Sequence, residues 1–273
     1  MIYVNGRVIE QNHFSAGELK INLQPSVRTT IDIAWHYESD AEYFTVACIR
    51  HYFSTKPCIL YMPYLPHARM DRVKNVEDVF TLKTFANLIN ILQFDKVYVW
   101  DAHSNVGIAL IDRCENVSPI EHIKDALLTL GYNNNSVCLF FPDEGAMKRY
   151  KNIADEKKMP YGFGIKDRDW VTGELKGTIV MNKEAIVGKD VLIIDDICSK
   201  GGTFFYAAKA LKAAGAKSVS LYVTHCEKTI ILGEMASTDG LVDHVYTTQS
   251  IFPEELFNEG YDPYWKEWIT VFH

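Results

Sequence analysis

The sequence lacks any Cys-x-x-Cys pair, although it contains six cysteines in 273 residues. Closely spaced cysteine pairs are typical of zinc sites and dithiol redox sites, and neither is indicated here. Most of the cysteines lie in apolar segments, so we expect buried free thiols in a reducing cytosol. By spacing, none has an evident catalytic histidine partner. The six are Cys48, Cys58, Cys114, Cys138, Cys198 and Cys226.

Long apolar runs are also missing. No run approaches the roughly 18 residues that a membrane-spanning helix needs. The first residues, MIYVNGRVIEQNHF, lack the basic-then-apolar order of a signal peptide. We therefore expect a cytoplasmic protein.

The chain has no excess of basic residues. Its formal net charge is −7, and its isoelectric point is near 5.7. This charge argues against a general nucleic-acid-binding protein, but small phosphorylated ligands need only a local basic cluster. With 48% apolar and 23% charged residues, the composition is that of a globular protein. A chain of this length can bury its core without a disulfide or a metal.

Strand-like and helix-like segments alternate along the chain, and we find no low-complexity segment or short repeat. This order predicts an α/β fold with mainly parallel sheets flanked by helices. The strand–loop–helix order occurs in both halves, which predicts two similar tandem domains. The turn-rich segment GYNNN (131–135) separates them, giving domains 1–132 and 133–273.

Four loops that follow predicted strands carry unusual polar residues. In parallel sheets, ligands bind beyond the carboxyl ends of the strands, so these loops are the candidate site. They are PHARMDR (66–72), DAHS (101–104), PDEG (142–145) and DDICSKGGT (195–203).

The stretch VLIIDDICSKGGT (191–203) is the most informative of these. Gly201 and Gly202 allow a tight turn whose N–H groups can face an anion. A helix predicted from 202 adds positive potential at its N-terminus. Three side chains of the loop could donate hydrogen bonds to phosphate: Ser199, Lys200 and Thr203. No Walker A pattern occurs in the sequence, which excludes a P-loop.

Asp195 and Asp196 precede this loop. These two carboxylates would repel a phosphate, because both groups are negatively charged. Carboxylates can instead accept hydrogen bonds from sugar hydroxyls or hold Mg²⁺ through water. A phosphate in the loop and a diol at the carboxylates together describe ribose 5-phosphate. An isolated Asp-Asp would instead favour a helix-capping turn with a solvated acidic pair.

This stretch resembles the phosphoribosyl-binding signature of the type I phosphoribosyltransferase fold, in which two acids follow an apolar strand and a short loop ends in Gly-Thr. The rest of the chain is similar to one family with that fold, the ribose-phosphate pyrophosphokinases. The similar motifs occur in order from residue 14 to about residue 250. The resemblance implies two tandem phosphoribosyltransferase-like domains, with ATP on the N-terminal side and ribose 5-phosphate on the C-terminal side.

The N-terminal motifs imply an ATP site. FSAGELKINL (14–23) resembles the family's adenine segment, with Phe14 and Glu18 matching and Ala16 in place of an aspartate. YMPYLPHARMDR (61–72) resembles the family's Arg-Gln-Asp-Arg motif, which implies an ATP role for three residues: Arg69, Asp71 and Arg72. In VWDAHSN (99–105), His103 matches a ligand of the Mg²⁺ that accompanies ATP. Imidazole is an unusual choice for magnesium, so this assignment rests on the resemblance.

The C-terminal motifs imply the catalytic groups. FPDEGA (141–146) resembles a motif whose aspartate, here Asp143, helps to hold metal. GFGIKDRDWVTGEL (162–175) resembles the family's flexible catalytic loop, with Lys166 and Arg168 matching and Asp167 replacing an arginine. Two such cations could stabilise charge on the transferring phosphates. In isolation, a solvated hairpin of mixed charge would be favoured.

The resemblance implies that diphosphate passes from ATP to ribose 5-phosphate, with Mg²⁺ as cofactor and with release of AMP. It also implies a homo-oligomer, either a dimer or a hexamer. Two alternatives remain: a type I phosphoribosyltransferase, and a non-catalytic relative that binds the ligands and regulates a partner.

Overall fold

The computed structural model describes residues 1–132, 136–168, 175–237, 240–253 and 267–273. It divides into two compact units, Met1–Ser118 and Pro119–His273. Among the helices described, none has both the length and the apolar composition that crossing a membrane requires.

The first unit consists of short strands and three helices, as far as the described residues extend. In chain order they are β1 (Ile2–Val4), β2 (Arg7–Val8), β3 (Asn12–His13), β4 (Leu19–Lys20), β5 (Ile31–Trp35), α1 (Glu42–Tyr52), β6 (Cys58–Met62), α2 (Thr81–Ile91), β7 (Lys96–Trp100), α3 (Asn105–Leu110) and β8 (Cys114–Val117).

The sheet of the first unit has the order β2-β1-β5-β6-β7-β8. Strands β5 to β8 are parallel, and β1 pairs antiparallel with β2 and β5. Burial alternates along β5 and β6, as expected when one face of a strand meets the core. The apolar faces of α1 and α2 pack on that side, so the core lies between them and the sheet.

The second unit contains longer strands. Its elements are α4 (Ile120–Thr129), β9 (Val137–Phe141), α5 (Glu144–Lys157), β10 (Tyr161–Arg168), β11 (Leu175–Met181), β12 (Asp190–Cys198), α6 (Gly202–Ala213), β13 (Ser218–Cys226), α7 (Glu234–Ser237), β14 (His244–Thr248) and β15 (Ile269–Phe272). Two 3₁₀ turns, Lys183–Ala185 and Lys228–Leu232, complete the described part.

The described strands of the second unit form one sheet in the order β11-β10-β9-β12-β13-β14-β15. All pairings are parallel except that of β10 with β11. The central strand β12 is buried on both faces. Val191 and Ile193 pack into the core that contains α6, whereas Leu192 and Ile194 pack with α4 and α5. The continuous apolar run before Asp195 is therefore the pattern of a strand covered on both sides.

Three features differ from the sequence-based expectations. Helix α4 precedes the predicted boundary at 132/133, yet its Ile123, Ala126 and Leu127 pack in a core of the second unit. Residues 162–168, expected to begin a loop, belong to strand β10, because they pair with β9 and β11. In SDAEYFTVACIRHYFS (39–54), Ser39 and Glu42 are spaced as a capping box and predict a helix from Ser39, but helix α1 begins at Glu42.

Replacing Ile193 by alanine should destabilise the second unit by about 2–5 kcal/mol, because the fully buried side chain leaves a cavity between β12 and α6. The matched control is Ile179→Ala in β11, where the side chain is 52% exposed and the cost should stay below about 1 kcal/mol. Urea unfolding of both variants measures the difference. Equal losses for the two would contradict the burial of Ile193 between β12 and α6.

Candidate active site

The carboxyl ends of β9 and β12 carry the acidic residues of the second unit. These strands are parallel neighbours, so their ends lie at the same edge of the sheet. Asp143 follows β9 and is the N-cap of α5, where its Oδ1 accepts a hydrogen bond from the Ala146 N–H at 2.9 Å. Asp195 and Asp196 lie within the last residues of β12. The sheet therefore brings the predicted acidic loops to one edge.

Lys166 contacts Asp143 directly. Its Nζ donates to Asp143 Oδ2 at 2.6 Å, and both side chains are partly exposed. Burial raises the pKa of Asp143, but the Lys166 ammonium and the Ala146 N–H outweigh it and hold the pKa below the ordinary value. Asp143 is therefore ionised at neutral pH. Arg168, the other predicted catalytic cation, is the last residue of β10, and residues 169–174 of its predicted loop lie outside the described residues.

Arg149, in the second turn of α5, joins the two carboxylates of β12. Its Nη2 lies 2.9 Å from Asp195 Oδ1 and 2.5 Å from Asp196 Oδ1. The guanidinium is itself largely buried, with 23% of its side chain exposed. A buried acidic pair needs such a cation, because two adjacent carboxylates repel and neither can be fully hydrated.

The electrostatics of Asp195 reflect this environment. Burial and the negative charge of Asp196 raise the pKa of Asp195 well above its ordinary value, against the opposing effect of Arg149. Burial lowers the pKa of Arg149, but the neighbouring Tyr150 and the negative charges of Asp196 and Asp195 raise it by more, so the guanidinium stays protonated. The two carboxylates are thus held together although both lose hydration, and a ligand with hydroxyl groups could donate hydrogen bonds to them.

The loop that follows β12 turns through Gly201. This residue has the left-handed backbone angles φ 79° and ψ 11°, which glycine adopts readily, and it is the N-cap of α6. Gly201 supplies no side-chain cap, and the first turn of α6 holds no acidic residue. The first N–H groups of α6 can therefore bind an anion. Lys200 and Gly202 are exposed beside them, and Thr203 is half-buried.

Ser199 has a different environment from the rest of the loop. Its Oγ lies 3.1 Å from Thr229 Oγ1, and Thr229 Oγ1 donates to Glu227 Oε2 at 3.2 Å. Its hydroxyl is thus engaged with the segment that follows β13.

The predicted adenine segment forms a small hairpin in the first unit. Strands β3 and β4 pair antiparallel around it, and the turn closes through hydrogen bonds between Phe14 and Glu18 and between Gly17 and Phe14. Gly17 adopts φ 87°, which this turn requires. Phe14 is 55% exposed, and Lys20 Nζ lies over its ring, 5.8 Å from the ring centroid.

The other predicted ATP residues follow β6 and β7, which are parallel neighbours in the first unit. Arg69 and Arg72 are exposed, and Arg72 pairs with Asp71 at 3.7 Å. His103 lies between β7 and α3, one residue before Ser104, whose hydroxyl caps α3. These residues therefore belong to loops at one edge of the sheet.

Among the described residues, no group of three His, Cys, Asp or Glu side chains is placed to hold a metal ion. His103 belongs to the first unit and Asp143 to the second.

Arg149 is a site residue that sequence reasoning missed. A basic residue in the second turn of a helix that follows Pro-Asp is a weak signal of a site residue. Lys148, the preceding residue, is equally basic. Only the register of α5 against β12 distinguishes them: Arg149 contacts Asp195 and Asp196, which are 46 and 47 residues away.

Comparison with known proteins places this arrangement in a family. Residues 120–265 match the family model described as a phosphoribosyl transferase domain, beginning one residue after the start of the second unit. A ribose-phosphate pyrophosphokinase 1 of Listeria monocytogenes is 30% identical over 224 residues, which cover 78% of this chain and 68% of that protein. The chain belongs to the ribose-phosphate pyrophosphokinase family.

A second relative and a solved structure are also similar to this chain. The ribose-phosphate pyrophosphokinase of Saccharolobus solfataricus is 28% identical over 224 residues, covering 80% of this chain and 76% of the relative. The phosphoribosylpyrophosphate synthetase of Mycobacterium smegmatis has the same fold, with a TM-score of 0.76, 18% identity, and coverage of 97% and 85% of the two chains. The predicted α/β fold and the prediction of an enzyme are thereby confirmed.

Asp195→Asn should stabilise the ligand-free protein at about pH 8, because the amide carries no charge to desolvate. We expect a rise in melting temperature of about 2–4 °C for a gain of about 1 kcal/mol. Asp190→Asn on the same strand is the matched control and should lower the melting temperature. Ser218 and Lys217 hydrogen-bond the Asp190 carboxylate and, against burial, lower its pKa.

The pH dependence follows from the opposite directions of the two pKa shifts. The favourable contribution of Asp195 is present below its ordinary pKa and is lost as the pH rises through the raised value. The gain from Asp195→Asn should therefore shrink as the pH falls from about 8 toward the ordinary pKa of a carboxyl group. The contribution of Asp190 is present above its ordinary pKa and is lost only as the pH falls through its lowered value. A lower melting temperature for Asp195→Asn at pH 8 would contradict this account.

Proposed function

We propose that this protein transfers the β,γ-diphosphoryl group of ATP to the anomeric hydroxyl of ribose 5-phosphate, giving 5-phosphoribosyl 1-diphosphate and AMP. The observation that carries the proposal is the end of β12 in a member of this family. There, the acidic pair contacted by Arg149 directly precedes a loop that opens onto the N-terminus of α6. Such a site has a place for a phosphate next to acceptors for hydroxyl groups.

Ribose 5-phosphate binds at this site in our proposal. The N–H groups around Gly201 and Gly202 receive its phosphate, together with Lys200 and Thr203. Asp195 and Asp196 accept hydrogen bonds from the ribose hydroxyls, which replace water lost from the buried carboxylates. Holding the sugar at both ends orients the anomeric hydroxyl for reaction.

ATP binding involves the first unit. Phe14 offers an aromatic face and Glu18 a carboxylate for the adenine, and Arg69 and Arg72 offer guanidinium groups for the phosphates. Asp71 orients Arg72 through their ion pair, and His103 belongs to the same proposed site. Ala16 stands in place of the aspartate in the family's adenine segment.

Catalysis then depends on alignment and charge. The anomeric hydroxyl attacks the β-phosphorus of ATP, and AMP leaves without a covalent enzyme intermediate. Alignment of two bound substrates can contribute about 7–11 kcal/mol when the geometry is good. Lys166 and Arg168 neutralise charge that develops on the transferring group. Lys166 pairs with Asp143, so substrate phosphates would compete with that carboxylate for the ammonium.

Mg²⁺ fits this site through Asp143. Its carboxylate is ionised, and its side chain is one-third exposed, which suits a hard cation that keeps several waters. Substrate phosphates and water would complete the coordination. When bound, Mg²⁺ would neutralise phosphate charge. His103 is the less typical ligand, because magnesium prefers oxygen. Removal of Mg²⁺ with a chelator should abolish turnover.

A single assay separates this proposal from its alternatives. Purified protein is incubated with Mg²⁺, ATP and ribose 5-phosphate, without any nucleobase, and the nucleotides are analysed. Release of AMP with formation of 5-phosphoribosyl 1-diphosphate supports the synthetase. A phosphoribosyltransferase would release no AMP here but would consume 5-phosphoribosyl 1-diphosphate with a base. A non-catalytic relative would bind the ligands and convert neither. The homo-oligomer stays a prediction, which light scattering would test.

Lys166→Ala should lower kcat by about 10²–10³-fold with a smaller effect on KM, because the ammonium acts on charge that develops during transfer. The control is Lys151→Ala, where the lysine forms an exposed ion pair with Asp155 on α5 and should leave kcat unchanged. Steady-state kinetics of AMP release measure both. Full turnover by Lys166→Ala would remove this residue from the catalytic role.

Arg149→Met should raise the KM for ribose 5-phosphate by about 10-fold or more, because Asp195 and Asp196 lose the cation that fixes them. The KM for ATP should change little. Arg149→Lys keeps the charge but has no planar group that reaches both carboxylates. Its KM for ribose 5-phosphate should lie between those of the wild type and Arg149→Met. Equal effects on both substrates would indicate general unfolding instead of positioning.

A further inference from the structure

The segment 227–235, which follows β13, packs against the loop 199–203. The Glu227 N–H donates to the Cys198 carbonyl at 2.8 Å, just before the loop begins. At the other end of the segment, Met235 lies against Gly201: a β-carbon added at Gly201 would be 3.0 Å from Met235 Cε. The loop is therefore contacted along its length by residues that the sequence analysis did not assign to the site.

Gly233 makes the closest approach. A β-carbon at this position would overlap the Lys200 carbonyl oxygen and lie 2.7 Å from the carbonyl carbon and 3.2 Å from Lys200 Cα. The obstacle is backbone, which cannot rotate away as a side chain does. Gly233 has φ −90° and ψ 161°, angles that any residue adopts. The glycine is thus required by the proximity of Lys200 and not by its own conformation.

Hydrogen counting at Ser199 gives a second, independent contact. A threonine hydroxyl has one hydrogen, and Thr229 donates it to the Glu227 carboxylate. Thr229 can then only accept from Ser199, whose Oγ is 3.1 Å away. The Ser199 hydroxyl donates its single hydrogen to Thr229 and therefore has no hydrogen to donate to a phosphate oxygen. Its hydroxyl therefore connects the loop to the segment 227–235.

We infer that the segment 227–235 sets the position of the loop that binds the sugar phosphate, with Gly233 and Thr229 as positioning residues and Ser199 as their contact and not a phosphate ligand. This inference rests on the proposed function for the identity of the ligand. It adds the residues that hold the loop N–H groups in place for the phosphate. Since α6 begins at Gly202, a displaced Lys200 would also displace the N-terminus of that helix.

The first test is Gly233→Ala, with Leu232→Ala as the matched control because Leu232 is 74% exposed. We expect Gly233→Ala to weaken ribose 5-phosphate binding at least 10-fold in calorimetric titration, and the KM for ATP to stay within about 2-fold. Leu232→Ala should match the wild type in both. A merely structural role would lower the melting temperature and affect both substrates. Wild-type ribose 5-phosphate affinity in folded Gly233→Ala would overturn the inference.

The second test does not depend on the folding of Gly233→Ala. Thr229→Val removes the acceptor for Ser199 and should weaken ribose 5-phosphate binding several-fold, whereas Thr229→Ser should restore it. Ser199→Ala should have the same effect as Thr229→Val, and the double variant should be no worse than either. Additive losses would mean that Ser199 contacts the phosphate itself and would overturn its assignment. Unchanged affinity in Thr229→Val would overturn the role of the segment.

Inorganic phosphate as a second probe separates this inference from the proposed function. If the wild type binds phosphate but not ribose 5-phosphate, the proposed substrate is wrong. The variants are then compared on phosphate, where the same order of affinities supports the inference. If the wild type binds neither, both are overturned.

Discussion

The pairing of Arg149 with Asp195 and Asp196 is the interaction on which the rest of the candidate site depends. Two adjacent carboxylates at the end of a buried strand repel each other and lose hydration. A single guanidinium, itself buried, compensates both. The cost that remains appears in the raised pKa of Asp195, which burial and Asp196 produce. A site of this kind is less stable empty than filled, which is common where a protein must bind a polar ligand.

The fold was predictable in outline because its strongest signals are local. The run VLIIDD predicts a strand covered on both faces, and β12 indeed alternates between two cores through Val191, Leu192, Ile193 and Ile194. The segment GTFFYAAKALKAAGA predicts the helix α6, which ends before Gly215. The pattern of the segment 162–168 is weaker and predicts a loop. Its glycines and charges obscure a strand that only pairing with β9 and β11 establishes.

The parts of the candidate site that the sequence did not predict depend on contacts between distant residues. Arg149 reaches carboxylates more than 40 positions away, and Thr229 contacts Ser199 across 30 positions. The sequence around Gly233 gives no signal, because the glycine is required only by the nearby Lys200 backbone, which leaves no room for a β-carbon. Sequence patterns report periodicity and residue chemistry, but they do not report which side chains of separate elements meet.

The order of strands in the second sheet has a consequence for how the site responds to thermal fluctuation. Asp195 and Asp196 are carried by β12, which has a paired neighbour on each side. Lys166 is carried by β10, whose outer partner β11 is the edge strand of the described sheet. Edge elements open locally at lower free energy than central ones. In the proposed function, Asp195 and Asp196 can therefore keep the sugar in place during local opening of β10, the strand that carries Lys166.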